Sequence, residues 1–372
     1  MTSKCIINWL CDSPSPYNSQ LFRAIASDTD ICLLVHYRRL SLATHPWHSQ
    51  LTEGYHYRVY QEQTGVDWRL IRLALMSEKH LASQSFVVAG WNHPTAWLLL
   101  TLLALRRGNF VIWTDTPNLA RIRSGWFQKA RRVFLRWVFG RARYIMGTGM
   151  PALRALEIMG ASSAKLVNYP YWIDLNMYKT IRVIRSTPGS PLVFLSSGRI
   201  QNDLKGHDIA IQALAVVARR DLVSFEYRIA GAGPDTDALL ALAKTLGIGE
   251  RVKLLGWLEP GELIEQMRMA DIFIHPSSVH EPYGVAVIEA MTVGLPVLAS
   301  DVTCAALDRV KPGVNGYIHR AGDINQLAEH IIDLATDRGR IAIMSDHAQL
   351  TAMQWPLSKG VISIKMLLCN SK

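Results

Sequence analysis

The sequence is poor in several features that would narrow its function quickly. Its 372 residues include only five cysteines, Cys5, Cys11, Cys32, Cys304 and Cys369, widely scattered and without a CxxC pair. That usage points to neither a disulfide framework nor a zinc site and suits a reducing cytoplasm. A membrane helix needs about 20 apolar residues, and the most apolar run, AWLLLTLLAL at 96–105, spans ten. The early run CIINWL soon meets Asp12, Pro14 and Pro16, so it reads as a first strand and makes a poor signal peptide. Internal repeats and low-complexity tracts are absent. Acidic residues are missing between 116 and 156, where Arg121, Arg123, Lys129, Arg131, Arg132, Arg136, Arg141, Arg143 and Arg154 fall. That stretch attracts anions, in a chain whose formal net charge is +10.

What is present is the composition of a folded globular protein, with 49% hydrophobic and 19% charged residues. The length exceeds one ordinary core and predicts two domains. Apolar runs alternate with amphipathic ones, the pattern of a parallel sheet with crossover helices. In the first half the expected strands are 5–10, 31–36, 86–89, 110–113 and 144–146. In the second they are 192–196, 226–230, 252–254, 272–275 and 296–299, with helices such as 206–218 and 235–246 between them. Residues 169–191 hold three prolines and lack either periodicity, which reads as a linker. The fold class expected is α/β, with two doubly wound Rossmann-like domains, 1–172 and 173–350, facing an interdomain cleft. A final helix within 351–372 is expected to return to the first domain.

The run HPSSVHEPYGVAVIEAMTVGLPVLASD, 275–301, carries the most chemistry. Its order reads as strand, polar loop, helix N-terminus, helix, tight turn and strand. A helix opening at 282–284 has free N–H groups and a positive dipole end, a seat for phosphate. Glu281 and Glu289 flank the seat, roughly 12 Å apart on helical rise, which matches the reach from one sugar across a diphosphate to another. Arg199 and Lys205, in GRIQNDLKG after the strand at 192, add two cations that either neutralise a diphosphate or are ordinary surface charges. Two Asp-Thr-Asp triplets, at 28–30 and 235–237, mimic a metal-binding DxD but lie at turns or helix starts, where aspartate serves as a cap. The 12 histidines show no HExxH-type spacing.

GRIQNDLKG, YRIAGAGP, IFIHPS and EPYGVAVIEAMTVGLPVLAS follow one another in the order and spacing of the retaining glycosyltransferases of family 4, also grouped as glycosyl transferases group 1, which have the GT-B fold. The resemblance is strong over 191–337. Before that, YPYWIDLNMY at 169–178 is similar to the family's inter-domain Asn, Val-Asp, Phe stretch. The resemblance implies that Glu289 binds the ribose hydroxyls of a nucleotide-sugar donor and Glu281 the donor sugar. It further implies that Arg199 and Lys205 bind the diphosphate, with backbone amides around Tyr283, Gly284 and Val285, and Gly231 and Gly233 of GAGP, near the nucleotide. The chemistry implied is metal-independent transfer of a hexose, with no cofactor beyond a UDP-, GDP- or ADP-linked sugar, to a saccharide or lipid-linked saccharide, as in bacterial surface polysaccharide synthesis.

The first half departs from the family. Many members have a glycine pair after strand one, where this chain has CDSPSPYNSQ. His93, in VVAGWNHPTA, occupies the best position for the histidine that members present to the donor sugar; the other reading is a turn residue before Pro94. The basic segment at 121–143 places Trp126, Ala130, Val133, Phe134 and Trp137 on one helical stripe. It suits either an anionic membrane surface or packing of the stripe on the first sheet. A cytoplasmic enzyme, peripheral on the inner face of the plasma membrane, is the localisation these features suggest. Two rival classes share parts of the pattern. A nicotinamide-dependent dehydrogenase, or another nucleotide-binding enzyme of the doubly wound class, would fit the alternation, but the dehydrogenase's GxGxxG after strand one is missing. A nucleic-acid-binding protein would fit the charge and leave the two-glutamate motif unexplained, so nucleic acid is not an expected partner.

Overall fold

The computed structural model of the chain describes residues 4–40, 52–60, 65–120, 125–178 and 190–369. They form two compact units, Met1–Asp174 with Trp355–Lys372, and Leu175–Gln354. In the first unit the strands are β1 (Cys5–Cys11), β2 (Ile31–Tyr37), β3 (His56–Val59), β4 (Gln84–Ala89), β5 (Asn109–Thr114), β6 (Tyr144–Gly147) and β7 (Leu166–Asn168). They pair in parallel in the order β3-β2-β1-β4-β5-β6-β7. The second unit has β8 (Leu192–Ser197), β9 (Phe225–Ala230), β10 (Val252–Gly256), β11 (Ile272–His275), β12 (Val297–Ser300) and β13 (Gly316–His319). These are also parallel, in the order β10-β9-β8-β11-β12-β13.

Both units are therefore doubly wound, as the alternation predicts. All ten expected strands form; nine are interior to their sheets, where strands covered on both faces are largely apolar and β8 is buried at every residue, and β10 is an edge strand. The three additional strands, β3, β7 and β13, are short and lie at or beside sheet edges, with polar residues in each. Their neighbours supply the pairing that their own sequences do not announce. In each sheet the chain reverses direction beside its first strand, between β1 and β4 in one and between β8 and β11 in the other. Ligands of open α/β sheets bind at the carboxyl ends of strands at such switch points.

Four sequence expectations need correction. The aperiodic stretch read as a linker is partly core: Tyr169 and Trp172 are buried, and the Trp113 indole N–H donates to the Tyr169 carbonyl at 3.0 Å. Residues 179–189 of that stretch lie outside the described residues. The last segment is two helices, Arg338–Ala352 and Leu357–Leu368, because Pro356 lacks an N–H and sits at the N-cap of the second. The carboxyl-terminal helix belongs to the first unit, where Ile364 and Leu368 are buried and Lys365 pairs with Asp28 and Asp30 at 2.9 and 2.7 Å. One of the two DxD-like triplets thus anchors that helix. Cys5 and Cys369 are joined as a disulfide, contrary to the expectation from their spacing; 364 positions separate them in sequence, but their Cα atoms are 5.4 Å apart.

Fourth, the stripe of the basic helix, Gly125–Arg141, is not one continuous face but divides. Toward its end Phe134 stacks on Trp97 at 4.3 Å and Trp137 is half-buried, as a core-packed helix requires. Toward its start Trp126, Ala130 and Val133 are exposed beside Lys129, Arg132 and Arg136. Arg121 and Arg123 lie outside the described residues.

Candidate active site

At the switch point of the second sheet, the loop after β8 carries Arg199, half-buried, and leads to the short helix Asn202–Lys205. Gly206 then turns the chain in the left-handed region, with φ 64°, into the helix His207–Arg219. A side chain would not fit there, since a Cβ on Gly206 would lie 2.1 Å from the Pro276 carbonyl oxygen. This close approach brings Lys205 against the loop that follows β11.

In that loop Glu281 is held from several sides. Its backbone N–H donates to the Val302 carbonyl at 2.9 Å, and its carbonyl accepts from Cys304 at 3.3 Å. Of its carboxylate oxygens, Oε1 pairs with Lys205 Nζ at 2.5 Å, while Oε2 meets His275 Nε2 at 2.8 Å and accepts from the Ser277 hydroxyl. The Glu281 side chain is 14% exposed. Burial pushes its carboxyl up, but the charges and hydrogen bonds of His275 and Lys205 outweigh burial and hold it well below the usual carboxylate range. Glu281 is thus a fixed anion. Next to this cluster lies His207, buried, with its pKa pushed down to about 3 by burial and by the charges of His275 and Lys205. His207 is a neutral ring under the site.

The helix after the loop is Val285–Thr292, with Gly284, the last residue of the expected 282–284 opening, as its N-cap. Tyr283 is buried, and its carbonyl accepts from Ala305 at 2.6 Å. Gly284, at φ 91°, is the N-cap and makes no side-chain cap bond. Its absent side chain leaves room for Thr303 Cγ2, which a Cβ would approach to 2.7 Å. Because 281–284 is not helical, the spacing of Glu281 and Glu289 is set by the loop and not by helical rise. Glu289 lies on this helix, and Tyr178, from the start of the unit, donates to its Oε1 at 3.0 Å. Gly231 and Gly233 follow β9. Their lack of side chains admits the neighbouring loop, since a Cβ on either would lie 1.9 Å from the Gly198 oxygen or 2.0 Å from the Ile200 oxygen. The Gly231 amide already donates to Gly256 at 2.7 Å, so its contribution is space for the Arg199 loop.

The structure therefore brings Lys205, Glu281 and Gly284 together, with His275, Ser277 and His207 joining them. His275 and Ser277 lie in IFIHPS and His207 directly follows GRIQNDLKG, but none of the three had an assigned role from sequence. The visible signal was polar residues at the carboxyl end of an apolar strand and directly after a lysine-glycine turn. Tyr178 ends the YPYWIDLNMY stretch that resembles the family's inter-domain motif, where it had no assigned role. His93 lies in the first unit, at that sheet's switch point, as the N-cap of helix Pro94–Leu105, and its Nδ1 accepts from the Thr95 N–H at 3.2 Å. Burial lowers its pKa, with Arg38 adding to the effect. In place of a glycine pair, the loop after β1 carries Asp12, paired with Arg38 and Arg39 at 2.5 and 2.8 Å. Among the described residues, no group of three or more His, Cys, Asp or Glu is arranged to hold a metal ion.

The family described as Glycosyl transferases group 1 matches residues 178–351. A D-inositol 3-phosphate glycosyltransferase of Nocardia farcinica is 32% identical over 214 residues, 54% of this chain and 47% of that protein. A lipopolysaccharide 1,6-galactosyltransferase of Salmonella typhimurium is 28% identical over 154 residues, 41% of this chain and 42% of that protein. The chain spans about half the length of these relatives. Among solved structures, the Anabaena protein HepE in complex with UDP has a TM-score of 0.76 at 19% identity, covering 99% of this chain and 100% of that one. A lipopolysaccharide outer core galactosyltransferase, WaaB, has a TM-score of 0.72 at 16% identity, covering 97% and 99%. The fold is that of GT-B glycosyltransferases, and the part of the chain similar to the glycosyl transferases group 1 family is 178–351, in the second unit.

Proposed function

We propose that the protein is a retaining glycosyltransferase that moves a hexose from a nucleoside diphosphate sugar to a saccharide or lipid-linked saccharide. The observation that carries this reading is the fixed Glu281 anion with Lys205 at the switch point of a unit similar to group 1 transferases, with Glu289 on the helix that follows. In this reading Glu289 accepts the ribose hydroxyls and Glu281 those of the transferred sugar. Lys205 has three N–H donors, and Glu281 uses one. The remaining donors, Arg199 and the first-turn amides after Gly284 would meet the diphosphate where negative charge builds as it leaves. The acceptor hydroxyl would attack on the face from which the diphosphate departs, and a leaving phosphate oxygen would take its proton. Transfer then needs no protein nucleophile and no metal, and Glu281 positions the donor instead of attacking it.

For the acceptor, the first unit offers Asp115 after β5. Its carboxylate accepts from Tyr171 at 3.3 Å and Thr148 at 3.4 Å, and the Tyr17 and Trp113 rings lie 6.1 and 5.6 Å from that of Tyr171. Carboxylates and aromatic faces together suit sugar hydroxyls and ring faces. Similarity to a UDP complex supports a UDP-sugar as the first donor to try, with GDP- and ADP-sugars beside it in a thermal-shift screen. The decisive test is Glu289→Ala. Calorimetry should show weaker nucleoside diphosphate binding with the fold intact, and unchanged affinity for UDP, GDP and ADP would refute the donor site.

The exposed start of the basic helix supports attachment to an anionic membrane on its cytoplasmic face, with Trp126 and Val133 entering the interface and Lys129, Arg132 and Arg136 facing the headgroups. Among the described residues, no helix is long and apolar enough to cross a membrane. Sedimentation with vesicles should increase with phosphatidylserine content and fall when Trp126 is replaced by Ser; indifference to both would remove the membrane reading.

A further inference from the structure

Tyr178 and Glu289 are 111 positions apart in sequence, and the fold places the phenol directly on the carboxylate, with its hydroxyl donating to Oε1 at 3.0 Å. The tyrosine is 7% exposed, so its ring is held by its surroundings and its oxygen has a fixed place. Glu289 is only half-buried, on the face of helix Val285–Thr292 that Tyr178 reaches. A fixed donor on one carboxylate oxygen narrows the rotamers a glutamate can take.

We propose that Tyr178 is a positioning residue for ribose recognition, holding the Glu289 carboxylate in the one orientation that accepts both hydroxyls of a ribonucleoside diphosphate. This rests on the reading of Glu289 as the ribose ligand. An ionised carboxylate has about four lone-pair sites. The phenol takes one, and two ribose hydroxyls need two more, so the Tyr178 bond and the ribose bonds are compatible. Hydrogen bonds to a charged acceptor are stronger than neutral ones, and a carboxylate already oriented before the ligand arrives loses less freedom on binding. The hydroxyl therefore raises affinity through Glu289 and only for ligands that present ribose hydroxyls.

That last property separates positioning from mere structural support. Calorimetry would compare UDP with its dideoxyribose analogue, which lacks both ribose hydroxyls, on wild type and Tyr178→Phe, with GDP and ADP run in parallel. Tyr178→Phe keeps the buried ring, and a melting curve checks that the fold survives. Affinity for the ribose form should fall roughly fivefold, while the dideoxy form binds as before. In the Glu289→Ala background, Tyr178→Phe should change nothing further. An equal loss for both forms, or no loss for either, overturns the proposal. Wild-type protein that binds UDP and its dideoxy analogue equally overturns the ribose role of Glu289 and this inference with it. Wild-type protein that binds none of the three diphosphates overturns the donor site as a whole.

Discussion

Glu281 shows how a single residue is committed by its neighbours. Three donors on its two oxygens offset the cost of placing a carboxylate in a site only 14% exposed. Removing one of them leaves charge poorly compensated. Lys205→Met should destabilise the second unit by about 1–3 kcal/mol in denaturant unfolding, and should weaken UDP binding more than uridine binding. Equal losses for UDP and uridine would show that Lys205 does not meet the diphosphate. Acid should also weaken this unit. The folded pKa of His207 is about 3 against an ordinary 6.5, so on acidification the unfolded chain takes the proton first. The stability contributed by neutral His207 is complete above pH 6.5 and is lost as pH falls toward 3. Glu281 acts in the same direction lower down, since a depressed carboxyl stabilises above its ordinary range and ceases to as pH drops through its folded value. The combined loss between neutral pH and pH 4 is on the order of a few kcal/mol. His207→Gln should flatten the upper part of the profile, and a profile identical to wild type would contradict the assignment.

At the scale of elements, the loops after β8, β9 and β11 fit together because glycines let backbones touch. Gly233→Ala would place a methyl group 2.0 Å from the Ile200 oxygen and push aside the loop that carries Arg199. A loss of about 1–3 kcal/mol is expected, together with weaker nucleotide binding. A variant of wild-type stability with weakened binding would instead mean that Gly233 touches the ligand. The GAGP turn was legible in the sequence as a turn. Its purpose as an opening for a second loop was not, because the oxygen it accommodates lies 33 positions earlier in the chain. The same limit applies to the phosphate seat. Pro282 and Gly284 announced a helix start, but buried Tyr283 and the packing of Thr303 on Gly284 put the first turn at Val285.

For the whole molecule, the division into units has a convenient optical consequence. Of the 11 tryptophans only Trp257 falls within Leu175–Gln354, so intrinsic fluorescence reports chiefly on the first unit. That unit is completed by a helix from the far end of the chain, held by Lys365, by the Tyr169 hydroxyl donating to the Gly360 carbonyl at 3.1 Å, and by the Cys5–Cys369 bond. Non-reducing peptide mapping should recover the Cys5–Cys369 link, and reduction should lower the fluorescence-detected melting temperature. Free thiols at both positions in protein purified without reductant would instead support the reducing compartment that the cysteine spacing suggests. Replacing Ile364 by Asp should unfold the first unit preferentially, since a charge would enter a site with no solvent access.

The sequence by itself determined the α/β alternation, ten of the strands, the glutamate motif and the cations before it, because burial and turn chemistry are local demands that each segment must meet alone. Tertiary structure decided which of these side chains meet. It paired Lys205 with Glu281, added His275, Ser277 and His207, and set Tyr178 on Glu289. It also returned the last helix to the first strand. Such contacts join residues tens to hundreds of positions apart, and the physical reason they escape sequence reading is that they depend on strand order and on the shape of loops packed against one another, neither of which leaves a periodic trace in the chain.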